Sequence, residues 1–157
     1  MDEKELFELI MDKRYQLQPV MDCNQYTQKY GLKLTEQEAL TLLEDHKKSL
    51  REQERVEFGE GILKKIIFAF CDSPFIYQDN YVETISCLQE IFYLYKNESL
   101  DELNDDELIE FMVREFNTVC QGSLEYLEDT SLEKFARKVR AGSLRFMKRE
   151  VDELDDE

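Results

Sequence analysis

Apolar residues are densest between residues 61 and 95, where they recur at intervals of three and four positions. In the second half of this stretch the spacing is that of one wide apolar face on an α-helix with 3.6 residues per turn. The residues on that face are Tyr81, Ile85, Leu88, Phe92 and Tyr95, with Val82, Ile91 and Leu94 beside them. The pattern predicts a helix over residues 78–96.

The first half of the stretch predicts a second apolar helix, over residues 62–72. Its apolar face consists of Ile62, Leu63, Ile66, Ile67 and Phe70. Ser73-Pro74 separates the two helices, because proline lacks an N–H and shifts the preceding residue out of the α region. Two apolar helices joined by so short a break are expected to pack against each other and to form the centre of the core.

Weaker helical patterns precede this pair. Residues 3–12 predict a short helix, and Pro19 predicts the first residue of a helix that runs to Tyr30 and is capped by Gly31. Thr35-Glu36-Gln37-Glu38 has the sequence of a capping box, which would begin a long charged helix reaching about Phe58. Val56 is expected on the apolar face of that long helix.

Further helix ends are recognisable after the pair. Residues 99–102 and 104–107 each have the sequence of a capping box, and the second is expected to begin a helix reaching about Cys120. Residues 124–127 predict a single helical turn. Thr130-Ser131-Leu132-Glu133 predicts the start of the last helix, with Gly142 inside it. The apolar face of this last helix is predicted to be Leu132, Phe135, Val139 and Phe146.

With two prolines and five glycines, the chain offers few places to break a helix. We therefore predict an all-α fold: a single-domain bundle of about six helices over residues 1–149, built around the central apolar helix pair. Residues 150–157 are mostly carboxylates, and we expect them to form a disordered acidic tail.

Charge restricts the possible partners. The 157 residues contain 36 acids and 20 bases, for a net charge of −16. Such a chain repels nucleic acids and anionic membranes, so neither is expected as a partner. No apolar segment approaches the ~18 residues of a membrane span, and no secretory signal is visible. The four cysteines, Cys23, Cys71, Cys87 and Cys120, show no close pair and no metal-ligand spacing, which indicates reduced thiols in the cytoplasm.

The charges are segregated along the chain. Residues 97–129 contain 11 acids and one base, whereas residues 134–149 contain seven bases and no acid. The basic segment has three interpretations. It pairs internally with the acidic segments, it docks an acidic protein, or, with the weakest support, it binds nucleic acid. The residues we select for docking are Arg137, Lys138 and Arg140.

The acidic segment suggests a second function. Carboxylates spaced along a rigid helix can imitate a phosphate backbone, so the segment suits an acidic mimic that inhibits a nucleic-acid-binding protein. The residues of such a face would be Asp105, Asp106, Glu107 and Glu110. A solvated helix face is the simpler interpretation of the same pattern.

A third function is a ligand-binding or enzymatic pocket near Pro74, lined by Phe75, Tyr77 and Tyr81. Catalytic signatures are otherwise absent from the sequence. His46 lies among charged residues and is expected on the surface, and no cysteine has a basic neighbour that would activate it. Cys71 and Cys87 lie in apolar runs and are expected to behave as small hydrophobic residues.

We predict no catalytic residue, cofactor or metal site, because the acids at 101–107 do not fit a calcium loop and the chain has one histidine. The favoured hypothesis is a non-catalytic protein-interaction domain, adaptor or regulatory, that presents charged helical faces to a protein partner of unknown identity. A second copy of the chain is another possible partner, and Tyr93 and the N-terminal apolar residues would suit it, since Tyr93 lies off the main apolar face of its helix.

Three short segments carry a resemblance to a known family: Lys96-Asn97-Glu98-Ser99, Asp105-Asp106-Glu107-Leu108 and Cys120-Gln121-Gly122-Ser123-Leu124. In these the chain resembles a family of small, uncharacterised bacterial proteins with no assigned function. The resemblance covers most of the chain, but its segments are caps and loops. It implies a bacterial cytoplasmic protein and transfers no functional residue.

Overall fold

The computed structural model describes residues 2–5, 17–56, 61–100 and 102–142. These residues contain α-helices and no β-strand, as predicted. The α-helices with both ends in the described residues are α1 (Asn24–Thr27), α2 (Glu36–Glu52), α3 (Leu63–Phe70), α4 (Tyr81–Glu98), α5 (Asp105–Asn117), α6 (Leu124–Tyr126) and α7 (Leu132–Arg140). Their buried side chains form one continuous hydrophobic core.

The predicted central pair is confirmed, since α3 and α4 lie in the middle of the core. All five residues of the predicted α4 face are buried. A 3-10 turn, Gln78–Asn80, leads into α4, so this helix begins slightly later than predicted. Helices α2, α3, α5 and α7 all pack on α4. It is therefore buried on more than one side, and its exposed side carries Glu83, Cys87 and Glu90.

This burial explains the positions of two residues. Tyr93 was considered for contact with a second copy of the chain and His46 was expected on the surface, yet they are 0% and 2% exposed. Their side chains meet between α2 and α4, with His46 Nε2 and Tyr93 Oη 2.9 Å apart. His46 has charged sequence neighbours, but it follows Leu42 and Leu43 by four and three positions. It therefore continues the buried stripe of α2.

Two of the three predicted capping boxes are confirmed. The Thr35 and Glu38 side chains close the box at the start of α2, and Asn104 and Glu107 do the same at the start of α5. The third prediction, at Ser99, was wrong. Ser99 lies just after α4, where its Oγ donates to the Lys96 carbonyl oxygen at 2.7 Å. It therefore belongs to the end of a helix and not to the start of one.

The last helix begins earlier than predicted. Ser123 is its N-cap, and its Oγ accepts from the Tyr126 amide at 3.1 Å. Helix α6 continues through a π-helical turn, Leu127–Ser131, directly into α7. The buried Tyr95 hydroxyl donates to the Leu127 carbonyl oxygen in that turn at 2.7 Å. The predicted start at Thr130 was therefore wrong, as was the isolated turn at 124–127.

Other helix limits also differ from the predictions. Pro19 is not a first residue, since residues 17–22 are helical, but Gly31 does cap the turn after α1 with a φ of 78°. Helix α2 ends at Glu52, and Val56 is 85% exposed instead of buried. Gly142 has a φ of 74° and follows the end of α7 rather than lying inside it.

Several predictions lie outside the described residues. They are the helix beyond residue 5, Phe58, Phe146 and the acidic tail at 150–157.

Candidate interaction surface

Helix α7 separates apolar and basic side chains. Phe135, Ala136 and Val139 are buried, and Phe135 lies against the Tyr95 and Phe111 rings at centroid distances of 5.1 and 5.2 Å. These contacts fix the rotation of the helix about its axis. The basic side chains therefore point away from the core, and all of them on α7 are exposed: Lys134, Arg137, Lys138 and Arg140.

The exposed bases of α7 have little to neutralise them. Arg137 pairs with Glu133 one turn earlier on the same helix. Within the part of the chain that the structure describes, Lys134, Lys138 and Arg140 form no ion pair. The expected pairing of the basic segment with the acidic residues at 97–129 is therefore not seen for α7. We call Lys134, Arg137, Lys138 and Arg140 the basic face.

The acidic candidates are placed differently. Asp105 Oδ1 lies 3.0 Å from Lys96 Nζ, and Asp106 Oδ1 lies 3.0 Å from Lys65 Nζ. Glu107 Oε1 accepts from the Asn104 amide at 3.1 Å in the capping box of α5. Three of the four predicted acidic site residues thus attach α5 to its neighbours or stabilise its start, while Glu110 is exposed.

A depression of about 400 Å³ lies beside the basic face. Leu132 and Ala136 contribute apolar surface to it, and Arg140 marks its end nearest the basic face. Thr130 and four carboxylates form the remainder of the lining, the carboxylates being Glu98, Glu128, Asp129 and Glu133. The surface around α6 and α7 is therefore acidic towards the N-terminus of the combined helix and basic towards its C-terminus.

The break at Pro74, where a pocket was considered, is filled by side chains. The Phe75 ring contacts the Phe116 ring edge-on, with centroids 6.2 Å apart, and Ile76 and Tyr81 are buried. Asn80 closes the loop, because its Nδ2 donates to the Phe75 carbonyl oxygen at 3.1 Å. Tyr77 alone of the predicted pocket residues is strongly exposed.

The cysteines have the properties of packing residues. Burial raises the pKa of Cys71 and of Cys120 above 9.0, so both thiols stay protonated at neutral pH. Cys87 was expected to behave as a small hydrophobic residue like Cys71, but its side chain is exposed on α4. Partial desolvation and the nearby Glu90 carboxylate raise the pKa of Cys87 as well. Among the described residues no group of three or more histidine, cysteine or carboxylate side chains is arranged to hold a metal ion.

Two buried tyrosines make stability depend on alkaline pH. Burial raises the pKa of Tyr81 and of Tyr95 well above the ordinary value of 10.0. Above about pH 10 the unfolded chain releases these protons and the folded chain keeps them. The stabilisation is complete below that pH and falls above it, by about 1.4 kcal/mol per pH unit for each tyrosine.

Urea unfolding at several pH values from 9 to 12 checks this prediction. Above pH 10 the free energy of unfolding of the Tyr81→Phe variant is expected to fall with pH less steeply than that of the wild type, by about 1.4 kcal/mol per pH unit, because one proton fewer is released on unfolding. Tyr77→Phe, at an exposed position, is the matched control. An unchanged slope in the Tyr81→Phe variant would contradict the burial of this hydroxyl.

None of the helices in the described ranges is both long enough and apolar enough to cross a membrane.

Comparison with known protein families shows the family to which the chain belongs. The model of a family of unknown function, DUF6323, matches residues 19–145, which is most of the chain. The chain belongs to DUF6323. The match begins before α1, extends past the end of α7 and includes both the acidic residues of α5 and the basic face. Membership in DUF6323 agrees with the resemblance to an uncharacterised family and assigns no activity. Searches of curated proteins and of solved structures found no significant match.

Proposed function

We propose that this DUF6323 protein is a non-catalytic protein-interaction domain, adaptor or regulatory, that docks an acidic protein surface on its basic face. The observation that carries the proposal is the contrast between two sets of charges. Asp105 and Asp106 have lysine partners at 3.0 Å, whereas Lys134, Lys138 and Arg140 have no ion-pair partner among the described residues. Charges without internal partners are those left to meet another molecule.

The packing of α7 supports this role. Phe135, Ala136 and Val139 bury one side of the helix, so the basic side chains extend from a backbone that is packed against the core. A preorganised charged surface loses less entropy on binding than a flexible one. Because the whole chain has a net charge of −16, only a local basic surface of this kind would attract an acidic partner.

Two other functions have less support. An acidic nucleic-acid mimic needs free carboxylates, but two of its four predicted residues are neutralised by lysines and Glu107 caps a helix. A pocket near Pro74 has less support because Phe75 and Ile76 fill the break. We also propose a bacterial cytoplasmic location, which the free thiols of all four cysteines support.

Charge reversal on the basic face tests the proposal. The variant carries Arg137→Glu, Lys138→Glu and Arg140→Glu. A control with the same net charge carries Lys47→Glu, Lys48→Glu and Arg51→Glu, all on α2. The wild type and both variants are immobilised. Proteins that each captures from an extract of the native cell are then quantified by mass spectrometry at low and high salt.

We expect the wild type and the control to capture an acidic partner in similar amounts. The basic-face variant is expected to capture at least ~10-fold less of it. Circular dichroism confirms that both variants are folded. Equal capture by both variants would contradict docking on α7. Capture of basic proteins instead, lost in a variant with Asp105→Asn, Asp106→Asn and Glu110→Gln, would favour the acidic mimic.

A further inference from the structure

Three aromatic side chains form an exposed cluster that does not involve the basic face. Tyr26, Tyr30 and Phe68 are 43%, 41% and 38% exposed. The Tyr26 ring contacts Phe68 edge-on with centroids 5.3 Å apart, and it contacts Tyr30 at 6.0 Å. Tyr26 thus joins Tyr30 to a phenylalanine on α3. Large aromatic side chains in contact on a surface are typical of binding sites.

Lysines surround this cluster. Lys29 Nζ lies 4.0 Å from the centroid of the Tyr26 ring and 5.2 Å from that of Tyr30, and Lys64 Nζ lies 5.9 Å from that of Phe68. The two segments that form the cluster, residues 24–33 and 61–72, contain four lysines and one carboxylate, that of Asp72. In a chain of net charge −16 this is a local basic surface, and it shares no residue with the basic face of α7.

A depression of about 470 Å³ adjoins the cluster between α3 and α5. Phe68, Ala69 and Ile109 give it an apolar lining. Its polar lining consists of Lys65, Asp106 and Glu110, and Asp106 is paired with Lys65 at 3.0 Å. The two carboxylates come from α5, whereas Lys65, Phe68 and Ala69 come from α3. The charge across this surface changes from basic at α3 to acidic at α5.

We propose that this surface binds an acidic peptide segment that carries an aromatic side chain. The aromatic side chain enters the depression against Phe68 and Ala69. Carboxylates of the peptide lie towards Lys29 and Lys64, away from Asp106 and Glu110. Charge complementarity selects the acidic segment, and the exposed rings select an aromatic residue within it. This site is independent of the basic face, and with it the chain would present two surfaces for acidic partners.

Defined polymers test the proposal. The probe is a fluorescently labelled random copolymer of glutamate and tyrosine, compared with polyglutamate of the same length by fluorescence anisotropy. Polyglutamate reports charge alone, so the preference for the copolymer reports the aromatic cluster. We expect the full chain to bind the copolymer about tenfold more tightly than polyglutamate.

Two pairs of substitutions locate the binding. Tyr26→Ala with Phe68→Ala is expected to abolish the preference, and Lys29→Gln with Lys64→Gln to weaken copolymer binding about tenfold. The basic-face variant of α7 is expected to keep the preference for the copolymer. This result distinguishes binding at the aromatic cluster from docking on the basic face. Lys47→Gln with Lys48→Gln controls for net charge. If the aromatic pair fails to fold, the lysine pair carries the test, because Lys29 is exposed.

Several results would overturn the proposal. Equal affinity for the two polymers, or a preference that survives both pairs of substitutions, would remove the site. Phosphatidylserine vesicles that bind the wild type but not the lysine variant would assign the surface to a membrane. A dimer seen in sedimentation and lost on Tyr26→Ala with Phe68→Ala would assign it to a second copy of the chain.

Discussion

Replacing Phe116 by alanine is expected to lower the free energy of unfolding by about 4 kcal/mol. Phe116 is fully buried, and its ring lies between two others. Its centroid is 5.6 Å from that of Phe70 and 6.2 Å from that of Phe75, both edge-on. The ring therefore joins α5 to α3 and to the Pro74 break. A domain of this size is stable by about 5–15 kcal/mol, so the variant would lose a large part of its stability.

Urea unfolding followed by circular dichroism measures this effect. Val119→Ala is the matched control, because Val119 lies just after the same helix and is 54% exposed. Its expected change is within about 0.5 kcal/mol. A loss below about 1.5 kcal/mol for Phe116→Ala would show that the three rings do not pack as described.

Gly122→Ala is expected to destabilise the protein by about 3 kcal/mol, for two separate reasons. Gly122 has a φ of 81°, which costs an alanine about 1–2 kcal/mol. In addition, an added Cβ would lie 2.6 Å from Phe75 Cβ and from Phe75 Cγ. These atoms are at the base of the side chain, so Phe75 cannot move aside without displacing its own backbone. The connection between α5 and α6 therefore depends on the absence of a side chain here.

Gly31→Ala separates the two contributions. Gly31 has a φ of 78°, close to that of Gly122, but an added Cβ would meet no atom within 4 Å. Its expected cost is the backbone contribution alone, about 1 kcal/mol. Thermal or urea unfolding of both variants gives the comparison. Equal losses at the two glycines would mean that Phe75 does not lie over Gly122.

Regular spacing made the centre of this fold predictable from the sequence. The apolar positions of α3 and α4 recur at three and four residues, and burial of one face follows from that period whatever surrounds it. The capping boxes at Thr35 and Asn104 were also predictable, because each is closed by residues three positions apart. The burial of a further side of α4 depends on how α2 packs against it. The spacing of residues within α4 does not show this, so the burial of Tyr93 and His46 was not predicted.

The other errors have the same origin. Ser99 and Thr130 lie in sequences that would suit a helix start, but Ser99 ends α4 and Thr130 lies within the π-helical turn. At the π-helical turn the Leu127 carbonyl oxygen accepts a hydrogen bond from Tyr95, which is 32 positions away in the sequence. Local sequence contains no signal for such a contact.

The candidate surfaces were predictable to different degrees. Helical periodicity was enough to predict that Arg137, Lys138 and Arg140 are exposed, because Phe135 and Val139 define the buried side of α7. The lack of an ion-pair partner for Lys138 and Arg140 was not predictable, since it depends on where the acidic helix α5 lies. The aromatic cluster was missed because Tyr26 and Phe68 come from segments that are far apart in the sequence.

The central claim is that the basic face is not needed to hold the fold together. Its most direct test is the free energy of unfolding of a variant with Arg137→Gln, Lys138→Gln and Arg140→Gln, measured in urea at low and high salt. We predict a change within about 1 kcal/mol at either salt concentration, since only the exposed contact with Glu133 and the helix dipole are affected. A loss of about 3 kcal/mol or more at low salt, reduced at high salt, would show that these side chains pair within the molecule and would contradict the claim.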